Sequence, residues 1–153
     1  MKISSTFEQG IYVVMILALE EDHRPVKSKT MSQLLEVSDS YLKKVLMKLS
    51  HGGLVISNAS KRGGYVLARS ADQISLKDIF IAVGEGEGLF KPSYYAERLF
   101  PHKDHVKESE EKIELTLKEG LDSFYQKLDA LKIADLLEDG AGEKGIVNWE
   151  DQL

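Results

Sequence analysis

The feature that most constrains the fold is a short helix, predicted over residues 39–51, with one apolar and one polar face. Its apolar residues follow the spacings of 3, 1 and 3 that one buried helix face requires; they are Leu42, Val45, Leu46 and Leu49. Ser38 is a suitable N-cap, and the glycines after residue 51 can end the helix. Another short helix is predicted over residues 31–37, with Thr30 as its cap. The two together predict a helix-turn-helix unit.

The polar face of the predicted 39–51 helix carries cations. At about 100° per residue, the side opposite the leucines holds Ser40, Lys44, Met47 and His51, and Lys43 and Lys48 flank it. An exposed helix with this many lysines suits the major groove of DNA. The alternative is an ordinary solvated helix face, and the residues that follow favour the first interpretation.

A short β-hairpin is predicted directly after this helix. Residues 54–57 and 65–68 are expected to form its strands, and the turn between them ends at Gly63 and Gly64, which can take positive φ. The tip carries Lys61 and Arg62. A hairpin in this place is typical of a wing, whose basic tip can reach phosphates or a narrow minor groove. A plain surface hairpin is the alternative.

The charge of the chain is unevenly distributed. Residues 1–69 contain 10 Lys and Arg against 6 Asp and Glu, a net charge of +4. Residues 70–153 contain 10 against 19, a net charge of −9. A basic front half on an acidic protein indicates a local surface for a polyanion, with chance segregation of charge as the alternative.

The rest of the chain is expected to be mainly helical. A first helix is predicted over residues 6–22 and a fourth, capped by Ser75, over 76–83. Residues 84–105 are expected to form a long loop with one helical turn near 94–99. This loop holds an apolar, aromatic set that could line an effector pocket or pack internally, and we favour packing; it comprises Leu89, Phe90, Tyr94, Tyr95, Leu99 and Phe100.

The longest predicted helix, over residues 106–131, carries a nearly coiled-coil seam. Its apolar residues recur at spacings of 4, 4, 3, 4 and 3; they are Ile113, Leu117, Leu121, Phe124, Leu128 and Leu131. A helix of this length is longer than a domain this small is wide, so the chain itself can cover only part of the apolar stripe. We therefore expect a second subunit to cover the rest, in a homodimer. A short closing helix is predicted over 133–137, and residues 138–153 are expected to be a flexible tail.

The sequence contains no strong motif for binding a cofactor and no apolar run long enough to cross a membrane. It contains no cysteine, which excludes disulfides and cysteine-ligated iron–sulfur clusters or zinc. The local cluster of His102 and His105, near Asp104 and Glu108, is a weak metal signal, and solvated loop histidines are the interpretation we adopt. We therefore predict no cofactor and no metal. The longest apolar run, residues 11–19, is about half of the roughly 20 needed to cross a bilayer, so a soluble cytoplasmic protein is expected.

These expectations combine into a mainly α fold with a small β-hairpin wing (α+β), a winged helix-turn-helix followed by a long dimerisation helix. The predicted divisions are a DNA-binding domain over residues 1–83, an effector-type loop over 84–105, the dimerisation and closing helices over 106–137, and the tail over 138–153.

Motifs from residue 38 to residue 68 resemble the Rrf2 family of bacterial transcription regulators. The motifs are Ser-Tyr-Leu at 40–42, Gly-Leu-Val at 53–55 and Gly-Gly-Tyr-Val-Leu at 63–67; the opening MKIS and the late IADLL follow the same order. The resemblance implies DNA contacts by Ser38, Ser40 and Tyr41, and base preference set at Lys43 and Lys44. It also implies a wing shaped by its two glycines and a long dimerisation helix.

Two departures from the family pattern affect what can be carried over. Cluster-binding members have three cysteines in the loop after the fourth helix, and this chain has none, so a cysteine-free member without an iron–sulfur cluster is expected. In the wing, Ala59 and Ser60 stand where the family often has Arg-Gly, and the basic pair follows instead. Any minor-groove contact implied by the family is therefore displaced along the turn.

The leading hypothesis is a DNA-binding transcription regulator, with a repressor as the first expectation, that acts as a homodimer on a near-palindromic operator. Its predicted DNA contacts are Ser38, Ser40, Tyr41, Lys43, Lys44, Met47, Lys48, Lys61 and Arg62. Its predicted dimer contacts are Ile113, Leu117, Leu121, Phe124 and Leu128. A small-molecule or protein effector is an open possibility. The alternative is a protein-interaction module on the same scaffold that no longer binds DNA. No catalytic motif is found, and an enzyme is not expected.

Overall fold

The computed structural model describes residues 2–86, 93 and 95–153. Within them the helices are α1 (Ser5–Leu19), α2 (Ser28–Leu34), α3 (Asp39–His51), α4 (Leu76–Ala82), α5 (Tyr95–Leu99), α6 (Lys103–Ala130) and α7 (Ala141–Lys144). The strands β1 (Val55–Asn58) and β2 (Gly64–Leu67) form one antiparallel hairpin, called the wing below. Short 3₁₀ turns cover Glu21–His23, Ala71–Gln73, Ile133–Leu136 and Trp149–Gln152. The predicted fold class is confirmed.

The apolar core lies where α1, α3 and α4 meet. The predicted inner face of α3 is fully buried, with Leu42, Leu46 and Leu49 at 0% exposure. Ser38 caps α3 as predicted, because its hydroxyl accepts a hydrogen bond from the Tyr41 N–H (3.2 Å). Ser75 likewise caps α4, in a reciprocal capping box with Asp78.

The turn before α3 differs from the prediction. The helix α2 begins at Ser28 and ends at Leu34, so Thr30 lies inside it, buried, and is not its cap. The chain reverses at Glu36, whose φ of 55° is left-handed, and the Val37 N–H donates to the Ser32 carbonyl (3.0 Å). A left-handed residue just after a helix is usually glycine or asparagine. A glutamate at this position therefore does not indicate from the sequence that the helix ends.

The wing forms where it was predicted, although each strand is shifted by one residue. Its inner edge is extended by Val26, which exchanges two backbone hydrogen bonds with Tyr65 (3.0 and 2.8 Å). The glycines do not take the predicted positive φ. A Cβ on Gly64 would lie 2.6 Å from the Val26 carbonyl, and one on Gly63 would lie 2.5 Å from the Asn58 oxygen. Glycine is needed here for close backbone approach.

Three other boundaries depart from the sequence expectations. The helix α1 ends at Leu19 rather than near residue 22, because Glu20 is extended and pairs with Val147. The long helix starts at Lys103, inside the predicted loop 84–105, and its 28 residues span about 42 Å. The predicted helical turn near 94–99 is present as α5.

Much of the predicted effector loop, including Leu89, Phe90 and Tyr94, lies outside the described residues. The described members of its apolar set are exposed, with Tyr95 at 66%, Leu99 at 71% and Phe100 at 58%. The interpretation that they pack internally is therefore wrong for these three within a single chain.

Residues predicted as a flexible tail lie against the end of α1. The N–H groups of Ile146 and Val147 both donate to the Leu19 carbonyl (2.9 Å each), and the Glu21 N–H donates to the Val147 carbonyl (2.8 Å). Ala141 is buried. Backbone pairing of this kind follows no side-chain periodicity, so composition alone did not indicate it. Within the described part of the chain, no helix is long and apolar enough to cross a membrane.

Candidate nucleic-acid interface

The centre of the outer face of α3 is open to solvent. Ser40, Lys44 and Met47 are all exposed, Met47 by 52%, while the opposite face is buried in the core. The capping residue Ser38 is exposed just before them, and its hydroxyl oxygen lies 3.4 Å from that of Ser40. This surface offers two hydroxyls, one thioether and one ammonium on a rigid helix. Such a set can read base edges and contact phosphate.

One edge of α3 is tied to its own fold. Tyr41 and Lys48 are seven residues apart and therefore share an edge of the helix. The Tyr41 hydroxyl is hydrogen-bonded to that of Thr6 in α1 (2.8 Å), and the Lys48 ammonium donates to the Val83 carbonyl at the end of α4 (3.0 Å). A cation is favoured at a helix C-terminus. These two predicted DNA contacts thus hold α3 on α1 and α4.

The opposite edge of α3 carries an ion pair that the sequence reasoning missed. The Lys43 ammonium lies 2.8 Å from an Asp39 carboxylate oxygen, one helical turn away. The hydrogen bond from Lys43 lowers the pKa of Asp39, with further lowering from the Ser28 hydroxyl and Lys29. Asp39 in turn raises the pKa of Lys43. The i,i+4 spacing was a visible signal for this pair.

Cations outside the predicted set extend the basic surface. Lys61 and Arg62 are exposed in the turn of the wing, as predicted. Lys27 and Lys29, at the start of α2, are also exposed, and Lys29 acts electrostatically on Asp39. Their position immediately before and within the first helix of a helix-turn-helix was the signal available for them.

The other features relevant to binding are the metal-ligating side chains and an open groove. Among the described residues, no three His, Asp or Glu side chains are grouped as a metal site requires. An open groove of 770 Å³ lies between the end of β2 and residues 134–143, and both acidic residues such as Asp72 and Glu138 and apolar residues such as Leu67 and Leu137 line it.

A family model described as "Rrf2: Iron-dependent Transcriptional regulator" matches residues 3–139 of the chain. The chain belongs to the Rrf2 family. The match covers α1 through α6 and ends before α7, so α7 and the residues that follow it are outside the match.

Individual Rrf2 relatives agree with this membership. YffB of Lactococcus lactis subsp. lactis, named as an inferred HTH-type transcriptional regulator, is 42% identical over 88 residues, covering 58% of this chain and 56% of YffB. The HTH-type transcriptional regulator CymR of Bacillus subtilis is 36% identical over 86 residues, covering 56% of this chain and 62% of CymR. These matches span less than two thirds of both relatives. They are named as regulators rather than enzymes, as predicted.

Solved Rrf2 structures extend the likeness over most of the chain. The structure of the global cysteine regulator CymR of B. subtilis covers 89% of this chain and 95% of its own, with 25% identity and a TM-score of 0.60. The structure of T. potens IscR covers 99% and 96%, with 27% identity and a TM-score of 0.60. The family description mentions iron, but this Rrf2 chain has no cysteine to supply the thiolates that hold iron–sulfur clusters.

The predicted dimer residues of this Rrf2 chain divide into two groups along α6. Ile113 and Leu117 are half exposed, at 50% and 48%. Phe124 and Leu128 are partly buried against the chain's own core, and Leu121 lies between the groups with intermediate exposure. The N-terminal half of the seam is therefore uncovered in a single chain, while the C-terminal half attaches α6 to the rest of the protein.

Proposed function

We propose that this chain is a sequence-specific, DNA-binding transcription regulator of the bacterial cytoplasm, acting as a homodimer on a near-palindromic operator. The observation that carries the proposal is the open centre of α3, where Ser40, Lys44 and Met47 project from the helix. Its inner face is buried in the core, and its Tyr41–Lys48 edge is bonded to α1 and to the end of α4. A dimer bound across an operator excludes other proteins from the same DNA, so repression is the outcome that we expect.

The contacts around α3 divide the predicted site residues by role. Ser40, Lys44 and Met47 are free to face base edges, and Lys61 and Arg62 on the wing face the phosphates. Ser38 caps α3, because its hydroxyl accepts the Tyr41 N–H, and that hydroxyl can still donate to DNA. Tyr41 and Lys48 set the angle of α3 through Thr6 and Val83. Lys43 contributes charge that Asp39 partly neutralises.

The test compares Lys44→Glu with the double change Lys61→Ala and Arg62→Ala. Because Lys44 lies at the centre of α3, its charge reversal should abolish specific binding. Loss of the wing cations should weaken specific and non-specific DNA about equally. It should also flatten the slope of log K against log salt by roughly 2–4 per dimer, about 0.9 for each phosphate that is no longer neutralised.

Fluorescence anisotropy measures the affinity and the salt slope of each variant, on an operator and on a scrambled duplex across a salt series. None of the three residues is buried, so folding should be preserved, and circular dichroism checks this. Wild-type affinity and slope in both variants would refute the assignment. A wild-type chain with no salt-dependent DNA binding would favour the alternative, an interaction module.

The homodimer rests on the uncovered part of the α6 seam. Leu121→Glu places a charge on this stripe, one helical turn from Leu117, and burial of an unpaired charge costs several kcal/mol or more. We expect this variant to sediment as a monomer at micromolar concentration while the wild type is a dimer. Glu119→Gln, on the exposed face of α6, is the control that should remain dimeric. A wild-type monomer, or a dimeric Leu121→Glu variant, would refute the interface.

A further inference from the structure

The C-terminal segment, residues 145–153, is held on α1 by its single tryptophan in addition to the backbone hydrogen bonds of Ile146 and Val147. The Trp149 indole N–H donates to the Ile16 carbonyl (2.8 Å), and the Trp149 backbone N–H donates to the Glu20 carboxylate (3.2 Å). Glu20 is buried, with 5% of its surface exposed. A buried carboxylate is costly unless it is paired and hydrogen-bonded, so Trp149 contributes to keeping it in place.

Glu20 connects this anchor to the loop beside the wing. Its other carboxylate oxygen pairs with the Arg24 guanidinium (3.1 Å), and two residues later Val26 makes its two backbone hydrogen bonds with Tyr65 of β2. The same residues line a groove of 480 Å³ between the segment and the wing, together with Lys27 and Arg62. Continuous contacts therefore run from Trp149 to the hairpin that carries Arg62.

We propose that the C-terminal segment positions the wing for DNA, with Trp149 as a positioning residue for Arg62. Trp149 holds Glu20 and Arg24, these hold the loop at Val26, and the loop fixes the inner edge of the hairpin. The segment lies beyond the family match at residues 3–139, so this support is additional to the shared Rrf2 scaffold. The proposal rests on the DNA-binding function proposed above.

The acidic character of the segment points to an opposite possibility. Glu150 lines the same groove as Arg62, and a carboxylate there could compete with DNA phosphate. Among the ion pairs of the described residues, however, none joins Glu150 to Arg62. The contacts that connect segment and wing run instead through Trp149, Glu20 and the backbone, which favours support over competition.

The experiment measures DNA affinity across a salt series for Trp149→Ala, for Trp149→Phe and for the control Ile146→Ala. Ile146 belongs to the same segment, but its side chain is 61% exposed. We expect Trp149→Ala to bind more weakly, with a salt slope flatter by about 2 per dimer, about 0.9 for each phosphate that Arg62 no longer neutralises. Trp149→Phe keeps an aromatic ring but removes the indole N–H and should be intermediate. Ile146→Ala should match the wild type.

The same substitutions are then repeated in the Lys61→Ala, Arg62→Ala background, where the Trp149 effect should disappear. Wild-type or tighter binding by both Trp149 variants would overturn the proposal. Weaker binding with an unchanged slope that persists in that background would also overturn it. If Trp149→Ala does not fold, Trp149→Phe decides by the same criteria. Absence of wild-type DNA binding would instead be a failure of the proposed function.

Discussion

Phe80, on α4, joins α1 to the long helix α6, and its removal should destabilise the protein. It is 1% exposed, and its ring makes edge-to-face contacts with Phe7 of α1 (5.2 Å), Phe124 (5.4 Å) and Tyr125 (6.1 Å) of α6. A single side chain on α4 therefore holds two other helices. Phe80→Ala removes all three ring pairs at once.

The expected loss follows from burial and from these ring pairs. Buried Phe→Ala changes cost about 3–5 kcal/mol, and aromatic pairs contribute about 0.5–1.5 kcal/mol each beyond their area. We expect about 4 kcal/mol, a large part of a stability that is about 5–15 kcal/mol for most proteins. In a chain of this size that corresponds to a fall in Tm of about 8–16 °C.

Urea unfolding followed by circular dichroism measures the change, at one fixed protomer concentration because dimerisation would couple to unfolding. Ile81→Ala is the matched control, since Ile81 is the next residue on α4 and is 51% exposed. It should cost less than about 1 kcal/mol. Equal destabilisation by the two variants, or a loss below about 1 kcal/mol for Phe80→Ala, would refute the role of Phe80.

The remaining predictions concern α3, the wing and α6. Asp39→Asn should release Lys43 to the phosphates, tightening DNA binding and steepening the salt slope by up to about 2 per dimer; the slope should be unaffected when Lys43→Gln is already present. Because the pKa of Asp39 is lowered and that of Lys43 is raised, the pair should persist between these two pKa values. Its stabilising contribution should disappear as the pH falls through the lowered pKa of Asp39 or rises through the raised pKa of Lys43. Gly64→Ala should destabilise the protein by about 1–3 kcal/mol in urea unfolding, because the new Cβ meets the Val26 backbone at 2.6 Å. Gly120→Ala, in α6 with nothing within 4 Å of the new Cβ, should instead stabilise by up to about 1 kcal/mol; equal effects of the two glycine changes would contradict this explanation.

The elements that the sequence predicts well are those whose signal is local and periodic. The helix α3 has a cap at Ser38 and an apolar face at 3–4 residue spacing, and its bounds are those predicted. The helix α4 has the same kind of cap, at Ser75. The wing follows from two short apolar strands around a glycine turn. In each case the side chains that define the element also bury it.

The features that escaped prediction depend on contacts between distant parts of the chain. Glu36 takes a left-handed conformation although its residue type does not favour one. Gly64 is required by the backbone of Val26, 38 residues earlier, and not by its own φ. The bonds that occupy Tyr41 and Lys48 reach α1 and the end of α4. Position on a helical wheel could not show that these side chains already had partners.

Trp149 also determines what optical measurements on this protein will report. It is the single tryptophan in 153 residues, and it lies on the C-terminal segment, partly buried against the core where α1, α3 and α4 meet. Intrinsic emission excited in the indole band therefore follows detachment of that segment, whereas far-ultraviolet ellipticity follows the helices. Coincident melting curves would show that the segment and the core unfold as one cooperative unit, and an earlier fluorescence transition would define the segment as a separately melting part.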